Sequence, residues 1–255
     1  MNAIRVIAVN TFREIIRDRI LYGILVFALL LIGLSLALGQ LSFAEQSRIS
    51  ANFGFTGIHL SAAILAIFIG SSLVAREIEK RTIMTLLVRP LTRTQFIVGK
   101  FFGLVMVLTS LILGLALVLL AVLSFLELKI ELNFLIAVIG IWFEALVLLS
   151  LALFFGSFAR PTMTVVFTGC FFLIGHWVDS LKFFVEKSES TGFKLLGTTI
   201  TKVFPNLEVL NWRSAPVYEL QVPASTTAPA LLYAFAWIVF LLSLTSLIFR
   251  RRDFV

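Results

Sequence analysis

Residues 76–103, REIEKRTIMTLLVRPLTRTQFIVGKFFG, are the one long polar insert between strongly apolar runs on the side of the chain that collects positive charge. The insert opens with a cluster of charged residues. Ile83, Leu86 and Leu87 follow at helical spacing and share one face, which predicts a short amphipathic helix. Pro90 ends that helix, because proline cannot continue the backbone hydrogen bonding. The pattern is typical of a docking surface.

A second helix is predicted to begin immediately after this proline. Thr92 is followed three residues later by Gln95, the spacing of a capping box in which each side chain bonds the backbone N–H of the other. The helix continues directly into the next apolar run. The insert is therefore predicted to be a rigid elbow attached to a membrane helix.

Composition places the chain among integral membrane proteins. Of its 255 residues, 60% are hydrophobic and only 14% are charged, and the mean hydropathy is high. A bilayer span needs about 20 apolar residues, and the pattern predicts an all-α fold with six such spans. Their predicted ranges are 20–38, 57–75, 97–123, 134–155, 161–178 and 230–249.

The net charge of +7 follows the predicted topology. With a cytoplasmic N-terminus, 14 of the 21 Lys and Arg residues fall in cytoplasmic segments, and those of the long 179–228 segment are matched by acidic residues. This is the positive-inside pattern with both termini cytoplasmic. It accounts for the positive charge and removes the support for a nucleic-acid-binding function.

The first residues, 1–19, are predicted to form an amphipathic helix on the inner membrane surface. Apolar residues recur on one face, from Ile4 to Ile16, with Arg5, Arg13 and Arg17 elsewhere on the helix. Glu14 and Asp18 argue against a cleaved signal peptide. A frayed leader is the alternative interpretation.

Glu144 is the only acidic residue well inside a predicted span. A carboxylate at this depth is costly and usually faces a cavity or a partner. The residue is therefore a candidate either for a translocation path or for a hydrogen-bonded anchor between helices, and the second alternative is favoured. His59 and His176 are expected near the outer ends of their spans, as partly solvated side chains without a metal.

A stripe of small residues marks one face of the third span: Gly99, Gly103, Ser110 and Gly114. Small residues allow close approach of helices in lipid. The stripe predicts a contact with a second copy of the chain or with another helix of the same bundle.

The 179–228 segment is the principal feature expected outside the membrane on the extracytoplasmic side. It holds four of the six prolines, and residues 193–204 fit a short amphipathic helix at the membrane surface. No metalloprotease, serine-hydrolase or phosphate-binding-loop motif is found in the sequence. The chain is not expected to be an enzyme, and any ATP that powers it must bind another chain.

These features resemble permeases of the ABC-2 superfamily of ABC transporters, and among them the membrane subunits associated with nitrous-oxide-reductase maturation and gliding motility. The resemblance covers the N-terminal NTFREIIRDRILY, the six-span layout, the PNLEVLNWR run at 205–213 and above all the 76–103 insert. The matching positions in the insert are Glu79, Thr82, Leu86, Leu87, Pro90, Thr92 with Arg93, and Gly99 with Lys100. Arg81 departs from the family pattern, which often has glycine there.

The resemblance implies a single permease domain over 1–255, with a coupling helix in a cytoplasmic segment at 76–96. It implies an exporter in the bacterial plasma (inner) membrane, with two permeases and two separate ATPase subunits that hold ATP and Mg²⁺. This chain is then expected to bind no cofactor or metal. The residues expected at the ATPase are Glu77, Glu79, Arg81, Thr82, Leu86, Leu87, Arg89, Pro90 and Arg93 in the coupling segment, and Phe12 and Arg13 in the N-terminal helix.

Two other classes of protein fit part of the pattern. An ion-coupled secondary transporter needs coupling groups at the membrane midplane and usually internal repeats, and only Glu144 offers such a group. A membrane scaffold for an extracytoplasmic partner protein would use the 179–228 segment and need no ATPase. Co-purification with an ATPase distinguishes the permease from both.

Overall fold

The computed structural model describes residues 3–40, 45–79, 92–126 and 132–251. All the regular secondary structure in these residues is helical. One 3₁₀ turn, Glu208–Leu210, interrupts the loop between the last two α-helices. The α-helices are α1 Ala3–Ile16, α2 Arg19–Gln40, α3 Gln46–Glu79, α4 Arg93–Phe125, α5 Leu132–Gly156, α6 Pro161–Lys187, α7 Thr191–Val203 and α8 Ala224–Arg251.

Six of these helices, α2 to α6 and α8, are long and apolar enough to cross a membrane. The predicted all-helical fold with six spans is therefore confirmed. Two spans extend well beyond their predicted ends: α3 starts at Gln46 instead of Gly57, and α6 continues to Lys187 instead of Val178. Their polar end turns continue the helix without adding to the apolar run that the prediction used.

Helix α5 lies at the centre of the bundle. It packs against α3, α4, α6 and α8, and most of its length is buried, as is most of α3. Most residues of helices α2, α6 and α8 are not buried, and Leu30, Leu173 and Leu232 are exposed. Such side chains fit contact with lipid.

Local signals fix where α4 and α6 begin. The Thr92 side chain accepts a hydrogen bond from the Gln95 backbone N–H, and the Gln95 side chain accepts one from the Thr92 N–H. The predicted capping box is thus confirmed. Pro161 occupies the first turn of α6, where its missing N–H costs nothing.

The N-terminal helix α1 packs along the first half of α4. A Cβ at Gly99 would lie 2.8 Å from the Ile7 Cβ, and one at Gly103 would lie 2.6 Å from the Thr11 Cβ. These two glycines therefore let two helices of the same chain approach closely. The predicted small-residue stripe is divided, because Ser110 is exposed and Gly114 has no atom within 4 Å of its position for a Cβ.

We expect Gly103→Ala to destabilise this contact. The new methyl would lie 2.7 Å from the Ala8 carbonyl oxygen, a backbone atom that cannot rotate away, and overpacking of this kind costs about 1 to 3 kcal/mol. The midpoint of thermal unfolding in detergent should fall. Gly114→Ala is the matched control on the same helix and should leave the midpoint unchanged, and an equal fall in both variants would contradict the assigned contact.

Candidate functional site

A buried polar cluster lies in the middle of the bundle, built from α3, α5, α6 and the 204–223 loop between α7 and α8. Glu144 is midway between Leu132 and Gly156 on α5, and His59 is midway between Gln46 and Ser72 on α3. The two residues are 1% and 3% exposed, respectively. Because unpaired polar groups are costly at such positions, their partners determine what the cluster can do.

His59 bridges Glu144 and Arg213. Its Nε2 lies 2.7 Å from the Glu144 Oε1, and its Nδ1 lies 2.7 Å from the Arg213 Nη1. A guanidinium group can only donate, so the His59 Nδ1 accepts and the Nε2 carries the ring proton. His59 is therefore a neutral imidazole that donates to Glu144 and accepts from Arg213.

Arg213 is brought into the bundle by the 204–223 loop. Its Nε donates to the Asn211 Oδ1 at 2.7 Å, and the Asn211 side chain donates to the Glu208 Oε1 at 2.7 Å. Burial lowers the pKa of Arg213, and the charges of Glu144 and Glu208 oppose that shift. The group stays charged, because a guanidinium does not release its proton in proteins.

The backbone of this loop contacts the membrane helices directly. The Leu210 carbonyl packs against Gly140 of α5, and the Leu207 N–H donates to the Gly175 carbonyl of α6 at 3.1 Å. A side chain at Gly140 would occupy the place of the Leu210 carbonyl. Glycine is therefore required there for the loop to reach His59.

Asn206 fastens the start of the loop to two helices. Its side chain donates to the Asp179 Oδ1 of α6 at 2.7 Å, and its backbone N–H donates to the Tyr233 hydroxyl of α8 at 2.9 Å. The loop that follows α7 is therefore an integral part of the bundle.

His176 completes the cluster from α6. Its Nδ1 lies 3.0 Å from the Phe172 carbonyl oxygen, and its Nε2 lies 3.4 Å from the Glu144 Oε1. The Nε2 is buried and makes no hydrogen bond within the described residues. Glu144 thus faces both histidines of the chain.

Ligand atoms of His59, Glu144 and His176 lie within 4.8 Å of one another, so the cluster has to be considered as a metal site. A histidine that binds a metal normally donates its other ring N–H to an acceptor. His59 instead accepts from Arg213 through its Nδ1, so its Nε2 has no free lone pair for a metal. The arrangement does not fit a metal centre.

The expectation that both histidines are partly solvated near the outer ends of their spans is wrong for His59. Because α3 begins at Gln46, His59 lies halfway along the span and is buried. Sequence reasoning also missed Arg213, which is far from His59 in sequence. The available signal was a single arginine within the otherwise mostly apolar LEVLNWRSAPV stretch.

The structure describes only part of the predicted ATPase-contacting set. Phe12 of α1 packs partly buried against the core, and Arg13 is exposed. Lys100 of α4 is an ion-pair partner of Glu14 of α1, at 3.6 Å. Outside the described residues lie Arg81, Thr82, Leu86, Leu87, Arg89 and Pro90, together with the side chains of Glu77, Glu79 and Arg93.

The family comparison agrees with this architecture. Residues 5–254 match the family model described as "ABC-2 family transporter protein". No curated protein matches the chain at a significant level. The match extends over all six apolar helices and over α1. The chain therefore belongs to the ABC-2 transporter family, as a multi-pass transmembrane permease subunit that pairs with an ABC ATPase subunit.

Proposed function

We propose that this chain is the transmembrane half of an exporter in which two permease copies pair with two ATPase subunits. The observation that carries the proposal is the family match over residues 5–254. In this assembly the ATPase subunits hold ATP and Mg²⁺, and the permease binds no cofactor of its own. The narrower resemblance to the nitrous-oxide-reductase and gliding-motility permeases remains a prediction.

The distribution of charge supports the proposed orientation, with both termini on the cytoplasmic side of a bacterial plasma membrane. This orientation places α1, the 76–96 segment and the first turn of α4 on the side where ATP is available. The 204–223 loop then lies toward the extracytoplasmic side. Exposed apolar residues of α7, among them Leu195 and Leu196, offer a surface to the bilayer or to an extracytoplasmic partner protein.

The structure also supports a mechanical role for the coupling segment. Helix α4 is continuous from Arg93 to Phe125, begins at a formed capping box and carries α1 on its Gly99 and Gly103 face. A movement applied before Thr92 would therefore shift α4 and α1 together. Coupling in these transporters requires such a rigid-body transmission from the ATPase to the bundle.

Cysteine labelling tests the orientation on which this proposal depends. In a Cys170→Ala background, Thr85→Cys should react with a membrane-impermeant maleimide only from the cytoplasmic side. Ser188→Cys, after α6, should react only from the opposite side. Labelling of both positions from the same side would refute the proposed arrangement.

A further inference from the structure

The His176 Nε2 is a buried nitrogen of the cluster that makes no hydrogen bond within the described residues. Its Nδ1 lies 3.0 Å from the Phe172 carbonyl oxygen. A carbonyl oxygen only accepts, so the Nδ1 carries a proton. In the neutral ring the Nε2 is then an acceptor that lies 3.4 Å from another acceptor, the Glu144 Oε1.

A second ring proton would turn this unfavourable contact into a favourable one. Protonated at Nε2, His176 could donate a charge-assisted hydrogen bond to Glu144. The same change at His59 would be unfavourable, because its Nδ1 already accepts a hydrogen bond from Arg213. A proton on that Nδ1 would place a second donor and a second positive charge against the guanidinium group. The two histidines are therefore chemically distinct although both contact Glu144.

The charged groups around the cluster come from several elements. The groups that face the cluster are neutral His59 from α3, Glu144 from α5, and Glu208 and Arg213 from the 204–223 loop, with Asp179 and Lys182 on α6 itself. Asp179 and Lys182 pair with each other at 2.9 Å, and Lys194 and Lys202 of the adjacent α7 are exposed. Arg213 faces two carboxylates, Glu144 and Glu208, and His176 faces the carboxylate of Glu144.

His176 is less enclosed than His59. Its side chain is 17% exposed, compared with 4% for His59, although the Nε2 atom itself is buried.

We propose that His176 is a proton-binding site: its Nε2 takes up one proton and forms an ion pair with Glu144 that ties α6 to α5. His59 keeps its hydrogen bonds to Glu144 and to Arg213. The permease thereby contains a pH-sensitive contact between two membrane helices. The proposal does not depend on the direction of transport or on the number of ATPase subunits.

Nitrogen NMR of the full chain tests this directly, because the chain has only two histidines. With ¹⁵N-imidazole labelling in lipid nanodiscs, the His176 Nε2 should show the signal of an unprotonated nitrogen at about pH 8 and of a protonated one at about pH 5. His59 is the internal control and should stay neutral with its proton on Nε2. A His176 ring that stays neutral at about pH 5, or a His59 ring that takes up the proton instead, would overturn the proposal.

Two variants extend the test. Glu144→Gln removes the counter-charge and should keep His176 neutral over the same pH range. His176→Gln should remove the pH-dependent nitrogen signal and leave the His59 spectrum unchanged. If either variant folds poorly, the wild-type spectra still decide. One equivalent of Zn²⁺ should leave both rings unchanged, and zinc-induced shifts of both Nε2 signals would contradict the proposal in favour of a metal site.

Discussion

Glu144→Ala is expected to lower the free energy of unfolding by about 1 to 3 kcal/mol, the cost of leaving a buried hydrogen-bonding group without its partner. The substitution takes away the acceptor of His59, which lies 2.7 Å from the carboxylate. It also leaves Arg213 with Glu208 as the one remaining carboxylate of the two that face it. We expect a sharply reduced yield and a lower midpoint of thermal unfolding in detergent.

Two substitutions on α5 separate this effect from simple loss of volume or polarity. Glu144→Gln keeps an oxygen that can accept from His59, so it should retain more stability and the ATPase activity of the assembled transporter. Ser150→Ala removes a buried hydroxyl that, among the described residues, donates to the Leu146 carbonyl of its own helix, and should have little effect. If Gln has normal yield but abolishes ATP-coupled activity, the carboxylate acts in the translocation path and its structural role is secondary.

Long apolar runs and motifs formed by residues close in sequence were predictable from the sequence. Spans of about 20 apolar residues follow from the thickness of the bilayer, and the described part of the chain has six helices of this kind. The Thr92 and Gln95 capping box involves residues three apart, so its spacing alone was sufficient. The amphipathic helices α1 and α7 followed from their apolar periodicity.

The buried cluster could not be predicted in the same way, because its members are distant in sequence. His59 and Arg213 meet only when the 204–223 loop packs on α5 and α6 through the contacts of Leu210 with Gly140 and of Leu207 with Gly175. Glu144 itself was identifiable, since a carboxylate inside an apolar run requires a partner. Nothing in the local pattern indicated which partner it had.

The small-residue stripe shows a similar limit. The sequence identified Gly99 and Gly103 as a packing surface, but the occupant could be another helix or a second copy of the chain. The structure places α1 on these two glycines. The more distant part of the stripe, at Ser110 and Gly114, stays open within the monomer.

Leu86→Asp combined with Leu87→Asp is expected to abolish recovery of the ATPase subunit. Both leucines belong to the coupling segment and share the apolar face of its predicted helix. Burial of each in a groove of the partner would contribute about 1.5 to 3 kcal/mol. Aspartate would remove that burial and place two charges in an apolar contact. Ser188→Asp combined with Ser190→Asp, between α6 and α7, is the matched control and should leave recovery unchanged.

Thermal unfolding of the permease alone distinguishes docking from folding. If the leucines contact the ATPase, the double variant should insert normally and unfold at the wild-type temperature. A large fall in that temperature would instead show that they pack on helices of their own chain or on lipid.

The most direct test of the ATPase-coupled assembly is affinity purification of the permease with its ATPase subunit, followed by measurement of the amount of ATPase recovered and of its rate of ATP hydrolysis. We predict a complex of two permeases and two ATPase subunits for the wild type and for the Ser188 and Ser190 control. We predict permease free of ATPase for the Leu86 and Leu87 variant. A well-folded double variant that retains its full complement of ATPase, with unchanged coupling, would contradict the account.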